Sequence, residues 1–171
     1  MSIKLNNVRL SFPSLFQKAQ FNGEETKYEA TFLLDKVKHA AVIKEIEAAI
    51  QQKVVSELKG AKVPADKLCL RDGDEVEYDG YSGHMTLKAS TKKRPLVLNK
   101  DKSPLTEADG VVYSGCYVNG IIDLWAQNNN YGKRVNATLL GVQFAGDGEA
   151  FSSGGSAASP DDFDDIDDLA F

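Results

Sequence analysis

Lys27-Tyr28-Glu29-Ala30-Thr31-Phe32-Leu33-Leu34 is the stretch on which the reading of the fold turns. Tyr28, Ala30, Phe32 and Leu34 fall on one side of an extended chain, with Lys27, Glu29 and Thr31 on the other. That alternation is the pattern of a half-buried strand. Upstream, residues 3–12 alternate in the same sense, and Asn22-Gly23 between the two segments is a turn signal, so the spacing predicts a long hairpin. Downstream, Met85, Leu87 and Ala89 alternate with Thr86, Lys88 and Ser90. Residues 96–98, 111–118, 121–126 and 134–144 complete the expected strands. The last two are joined through Asn128-Asn129-Asn130-Tyr131-Gly132, whose Asn and Gly tolerate positive φ.

One segment has a different period. Over 36–59 the apolar residues Val42, Ile43, Ile46, Ile50 and Val54 recur at helical spacing, and Ala40, Ala41, Ala48 and Ala49 favour helix. Asp35 stands where it can cap the start, and Gly60 where it can end the helix. The expected fold is therefore mainly β, with one helix covering one end of the core. An OB-like antiparallel barrel fits, and strand number alone equally allows a sandwich.

A chain of 171 residues suits one domain with an appendage, and 42% hydrophobic residues supply a core. A domain of that size buries roughly 70% of its unfolded surface. No N-terminal apolar run resembles a signal peptide, and no apolar stretch is long enough to span a membrane. Cys69 and Cys116 sit among apolar residues, outside any metal or redox motif, and read as buried free thiols.

The net charge of −5 is unevenly placed. Six aspartates and no base follow Phe151; without them, 19 acids face 20 bases, a net +1. The boundary is expected near 150, giving a body over 1–150 and a tail over 151–171. Residues 152–159 read Ser-Ser-Gly-Gly-Ser-Ala-Ala-Ser, a composition that stays disordered because it cannot bury enough surface to offset its ordering entropy. A near-neutral body can still bind a polyanion where its bases cluster.

Catalytic chemistry finds little support. His39 and His84 have no ligand or base partner at suitable spacing, and no nucleophile elbow, P-loop or HExxH motif is present. The acidic run Asp72-Gly-Asp-Glu-Val-Glu-Tyr-Asp79 lacks the spacing of a calcium loop and reads as a solvated turn. No enzyme, metal or cofactor is expected.

Nucleic-acid binding has better support. Lys88, Lys92, Lys93, Arg94, Lys100 and Lys102 lie in one short stretch with Asp101 the only acid, and Lys133 and Arg134 follow Tyr131 at the tip of the last hairpin. Such groups can track a phosphate backbone, each neutralised phosphate adding about −0.7 to the salt slope for single strands. Exposed rings supply stacking platforms. Strand alternation puts Tyr113 and Tyr117 on one face, with Gly115 between them leaving room for a flat base or a close backbone. Tyr78, Tyr81, Trp125 and Tyr131 are further candidates, Trp125 suiting the core as well as a platform, whereas Phe12, Phe16, Phe32 and Phe144 are expected in the core.

The tail is the most specific signal. Phe163, Ile166, Leu169 and Phe171 stand among Asp161, Asp162, Asp164, Asp165, Asp167 and Asp168, and the sequence given finishes on an aromatic. This suits a docking peptide whose apolar anchors fill a pocket while Arg or Lys of a partner pairs with the carboxylates. It equally suits autoinhibition, a tethered polyanion competing for the body's own basic groove.

That ending resembles the acidic, phenylalanine-terminated tails of bacterial and phage single-stranded DNA-binding proteins, with Ala170 where bacterial tails usually carry proline. The body is similar to a phage family of such proteins at Arg9-Leu-Ser-Phe-Pro-Ser-Leu-Phe16, Lys27-Tyr-Glu-Ala-Thr-Phe-Leu33, Leu70-Arg-Asp-Gly-Asp74 and Tyr113-Ser-Gly-Cys-Tyr-Val118. The resemblance implies an OB-fold and sequence-independent binding of single strands in phage replication or recombination. Replication or recombination proteins would be partners of the tail, and weaker duplex binding is an open expectation. The rival expectations are an adaptor or DNA mimic acting through the tail alone and, more distantly, a metal-dependent nuclease using the Asp72–Asp79 run.

Overall fold

The computed structural model describes residues 2–21, 23–76, 78, 80–129 and 132–151. Among these residues nine strands and one α-helix follow in chain order: β1 (Ser2–Ser14), β2 (Gln20–Phe21), β3 (Glu24–Glu25), β4 (Tyr28–Asp35), α1 (Ala40–Glu57), β5 (Leu70–Asp72), β6 (His84–Thr91), β7 (Leu96–Leu98), β8 (Tyr117–Asn129) and β9 (Gly132–Gly146).

Five of these strands close on themselves. β1 runs antiparallel to β4, with Leu10 opposite Phe32, and to β8, with Ile3 opposite Ile122. β4 pairs with β6 (Phe32 opposite Leu87), and β8 pairs with β9 (Leu124 opposite Ala137). A short parallel junction, Ala89 beside Ala137, joins β6 to β9 and completes the ring β1-β4-β6-β9-β8. This is the five-stranded, partly open barrel of an OB-fold, and it settles barrel over sandwich. β5 lies against β6 below the junction, and β7 runs parallel to β9.

Alternation places the core. Leu5, Val8, Leu10, Phe32, Leu34, Leu87, Val118, Ile122, Val135 and Leu139 are all buried, and α1 closes one end with Ile43, Ile46, Ile50 and Val54. β1 keeps its register despite an odd spacing. Leu5 faces Gly120 and Val8 faces Val118, so three residues of β1 span two of β8, and Asn7 takes φ 52° at the bulge. The extra residue puts both Leu5 and Val8 inside, and leaves Lys4 and Arg9 on the outer face. Gly120 is fixed by packing: a Cβ there would stand 2.9 Å from the Phe32 ring at the barrel centre.

Three expectations need correction. Residues 111–118 are not one strand: the chain turns at Ser114-Gly115, where Gly115 has φ 110°, and β8 starts only at Tyr117. Asp35 does not cap α1; its carboxylate accepts from the Val37 and Lys38 N–H groups in the preceding turn, and His39 holds the N-cap position without a side-chain capping bond, its Nδ1 accepting instead from the Asp35 N–H at 3.0 Å. Phe12 is not core but 43% exposed, because β1 slips between Ser11 and Ser14 and Phe12 takes φ 46°. Gly60 does lie at the end of the helix, its N–H returning to the Val54 carbonyl.

Candidate nucleic-acid interface

A groove of about 860 Å³ runs along the outer faces of β4, β5 and β6. At one end Phe12 and Tyr78, the latter 57% exposed, meet edge to face with centroids 5.3 Å apart. Tyr81 supports Tyr78 from below at 5.2 Å and is itself buried, its hydroxyl 2.9 Å from the Ser11 hydroxyl. Two half-exposed rings over a fixed third form a platform on which flat bases can stack.

The floor carries the charge. Thr31 sits opposite Lys88 and Arg71 opposite Thr86, so pairing of β5 with β6 brings a second cation beside Lys88. Lys88 keeps 64% of its side chain in solvent, with Glu29 at 3.6 Å. The Arg71 guanidinium donates to the Leu68 and Asp66 carbonyls, pinning residues 66–68 along the groove. Asp72 and Asp74 also flank this region, but both carboxylates hold the Lys36 ammonium, at 2.7 and 2.6 Å. That ion pair keeps both acids below the ordinary aspartate range and raises Lys36. The acidic run is thus tied up internally at these two positions; Glu77 and Asp79 lie outside the described residues.

A second depression, about 210 Å³, continues the groove through Cys69, Arg71 and Lys88 into the seam between β6 and β9, lined by Lys67, Ser90, Arg134 and Asn136. Across the hairpin Trp125 stands opposite Asn136 and Gln127 opposite Arg134. Trp125 is 41% exposed, so it faces solvent rather than core. Aromatic groups therefore flank a basic middle: Phe12 and Tyr78 at one end, Trp125 at the other, with Lys67, Arg71, Lys88 and Arg134 between.

The basic residues singled out in the sequence divide. Lys88 and Arg134 share the continuous groove, and Lys133 stands beside Arg134 at the hairpin tip, opposite Asn128. Lys92, Lys93 and Arg94 are exposed just past the end of β6, with Arg94 over the Phe16 ring at 5.9 Å. Lys100 and Lys102 follow β7 and are not brought to the groove; Lys102 lines a different depression with Lys4. Tyr131 lies outside the described residues, as does the whole segment 152–171 with Asp161, Asp162, Phe163, Asp164, Asp165, Ile166, Asp167, Asp168, Leu169 and Phe171.

Tyr113 and Tyr117 do not form the expected pair of free platforms. The Tyr113 hydroxyl donates to the Gly148 carbonyl (2.9 Å) and accepts from the Gly148 N–H (3.0 Å). Desolvation raises its pKa. Gly115 leaves room for a close backbone, not a base: a Cβ there would stand 2.2 Å from the Glu149 carbonyl oxygen. Arg9 fastens the same strap, donating to the Gly115 and Glu149 carbonyls and stacking on Phe151 at 4.1 Å. The Phe151 ring rests on Gly80, one residue past the expected end of the body.

Sequence reasoning missed Lys67, Arg71 and Phe12. In the sequence Arg71 carries no signal of its own, since nothing local reveals that β5 pairs beside Lys88. Phe12 was placed inside because alternation alone gives no sign of the slip at residues 11–14.

Comparison with known proteins agrees with the fold and extends it. A family model described as "Enterobacter phage Enc34, ssDNA-binding protein" matches residues 1–170. "Putative protein p50" of Acyrthosiphon pisum secondary endosymbiont phage 1 is 48% identical over 177 residues, covering 97% of this chain and 94% of its own length. The single-stranded DNA-binding protein from bacteriophage Enc34, solved in complex with ssDNA, superposes with a TM-score of 0.80 at 36% identity, covering 88% of this chain and 89% of that one. A second structure of the same phage protein gives a TM-score of 0.81 at 34% identity, over 95% and 90% of the two chains.

Proposed function

This chain belongs to the phage Enc34 single-stranded DNA-binding protein family, and from that premise we propose that its OB barrel binds single-stranded DNA without sequence preference along the groove running from Phe12 and Tyr78 to Arg134 and Trp125. The observation that carries the proposal is the juxtaposition, on one continuous surface, of exposed rings with the cations Lys67, Arg71, Lys88 and Arg134. Phosphates pair with the cations, and bases stack on Phe12, Tyr78 and Trp125 with no hydrogen-bond readout of sequence. Lys92, Lys93, Arg94 and Lys133, exposed beside the groove, extend the path for the phosphates. Tyr113 and Tyr117 act instead by holding the strap at 147–151.

Covering single strands in phage replication or recombination, in the host cytoplasm, is the role this binding serves. The body over 1–150 carries the DNA site, and the tail over 151–171 meets replication or recombination proteins through its aspartates and apolar anchors. A phosphate-pairing floor also gives weaker affinity for duplex DNA, whose bases are stacked away from the rings. A family of single-stranded DNA-binding proteins is a non-enzymatic one, and the ion-paired Asp72 and Asp74 offer no support for nuclease chemistry. Among the described residues no helix is long and apolar enough to cross a membrane.

Fluorescence anisotropy of a labelled oligothymidylate and a matched duplex, titrated with the full chain across a salt series, tests the proposal. Tight, salt-sensitive binding with preference for the single strand is expected. Equal binding of both forms would remove the stacking part. No binding of either would leave the tail as the functional element.

A further inference from the structure

Arg9 to Phe12 of β1 hold two structures at once. Ser11 bonds the Tyr81 hydroxyl and Phe12 meets the Tyr78 ring, so this stretch carries the stacking platform. Arg9 carries the strap: its Nε donates to the Gly115 carbonyl at 3.0 Å, and its guanidinium lies over the Phe151 ring at 4.1 Å and the Tyr117 ring at 5.8 Å. The Phe151 backbone is fixed as well, its N–H donating to the Ser114 carbonyl at 3.0 Å. Strap and platform meet at Gly80. Tyr78 and Tyr81 are the ends of a turn closed by the Tyr81 N–H on the Tyr78 carbonyl at 3.2 Å, with Gly80 inside it at φ 81°. A Cβ on Gly80 would collide with the Phe151 ring, so the ring lies directly on the backbone that joins the two tyrosines. Left-handed φ and the ring both require glycine there. Tyr81 is anchored independently, its hydroxyl at Ser11 and its carbonyl accepting from the His84 N–H at 3.1 Å. Tyr78 faces solvent and meets Phe12 and Tyr81 through ring edges. Edge contacts are weak against the side-chain entropy of an exposed tyrosine, so the turn beneath it matters.

We propose that Phe151 is a positioning residue for single-strand binding: clamped by Arg9, it holds the 78–81 turn so that Tyr78 stands edge to face with Phe12 before DNA arrives. The inference rests on the DNA groove proposed above. A platform that must be ordered on binding gives up affinity to that ordering, and one already in place does not. Phe151 contributes no stacking surface of its own; it acts through Gly80 on the ring that does. The DNA-binding body then ends after Phe151. Composition hides this, because Ser152-Ser-Gly-Gly155 follows at once and assigns the phenylalanine to the linker.

The test uses the full chain with Phe151→Ala, and with Phe151→Tyr as the variant that keeps a ring on Arg9 and Gly80. NOEs between the Tyr78 and Phe12 rings, recorded without DNA, read the platform directly. They are expected in the native chain and in Phe151→Tyr. In Phe151→Ala they are lost, while the Leu87 and Val118 core methyl resonances stay in place. Binding of labelled oligothymidylate by Phe151→Ala weakens about tenfold with its salt slope kept, since no phosphate contact is removed, and recovers in Phe151→Tyr. Tyr78–Phe12 NOEs that persist in Phe151→Ala, or are absent from the native chain, would overturn the proposal. Arg9→Lys keeps the charge but removes the planar group that clamps Phe151, and serves where Phe151→Ala disturbs the core. Loss of the same NOEs is expected, and their retention would overturn the clamp. NOEs lost with affinity unchanged would refute stacking at Phe12 and Tyr78, a failure of the groove and not of the hold on the turn. Native chains that show the NOEs but bind no DNA would refute the groove alone.

Discussion

Removing the cations of the groove tests the DNA proposal through a quantity that misfolding does not imitate. Lys88→Ala, Lys133→Ala and Arg134→Ala combine two cations of the depression between β6 and β9 with the one beside Arg134 at the hairpin tip. Lys88 is largely in solvent and Lys133 is exposed, so the triple variant keeps the barrel core of Phe32, Leu87 and Val135 intact. Each phosphate contact to a single strand contributes about 0.7 to the slope of log affinity against log salt, so three lost contacts flatten it by about 2. With the contribution vanishing near 1 M salt, binding weakens about a hundredfold at 0.1 M but only about fourfold at 0.5 M. Anisotropy titrations of a labelled oligothymidylate at several salt concentrations read both numbers. Lys44→Ala/Lys62→Ala, two exposed charges away from the groove, serves as the control and should leave the slope unchanged. An unchanged slope in the triple variant, or the same weakening at every salt concentration, would refute phosphate pairing at this end of the barrel.

The other end should respond differently: Phe12→Ala and Tyr78→Ala each weaken single-strand binding by ~1–3 kcal/mol with the salt slope kept, measurable by the same titration. Gly120→Val drives a side chain into the Phe32 ring, 2.9 Å from the Cβ position, and costs about 1–3 kcal/mol by urea denaturation. The Asp72 and Asp74 carboxylates titrate below the usual aspartate range because Lys36 and backbone N–H groups favour their ionised forms. Their stabilisation is complete above the unfolded-state pKa and lost as pH falls through the lowered folded values. NMR titration of both carboxyls should find depressed midpoints that return toward ordinary values in Lys36→Met.

The strands and helix were legible because each has one buried face and a clean period. Phe32 and Leu34 alternate with Glu29 and Thr31 on β4, and Ile43, Ile46, Ile50 and Val54 recur along α1. The tyrosine pair was misread for a local reason. Period-2 alternation holds only while the backbone stays extended, and at Gly115 it enters the left-handed region, where the Glu149 carbonyl crosses. The basic stretch from Lys88 to Lys102 looked like one patch because sequence proximity hides a change of strand. β6 lies over the groove, while β7 runs along β9 and carries Lys100 and Lys102 away. Arg71 was illegible in the opposite sense. Its place beside Lys88 depends on a pairing of β5 with β6 that no local pattern encodes.

Photocross-linking tests the central claim most directly. An oligonucleotide bearing 5-iodouracil is irradiated with the full chain, and the linked residues are mapped by mass spectrometry. The predicted result is linkage at Phe12 and Tyr78, with Trp125 at the far end of longer strands. Linkage confined to the face of Leu96 and Ile121, or none under conditions where DNA is bound, would contradict a groove running from Phe12 to Arg134.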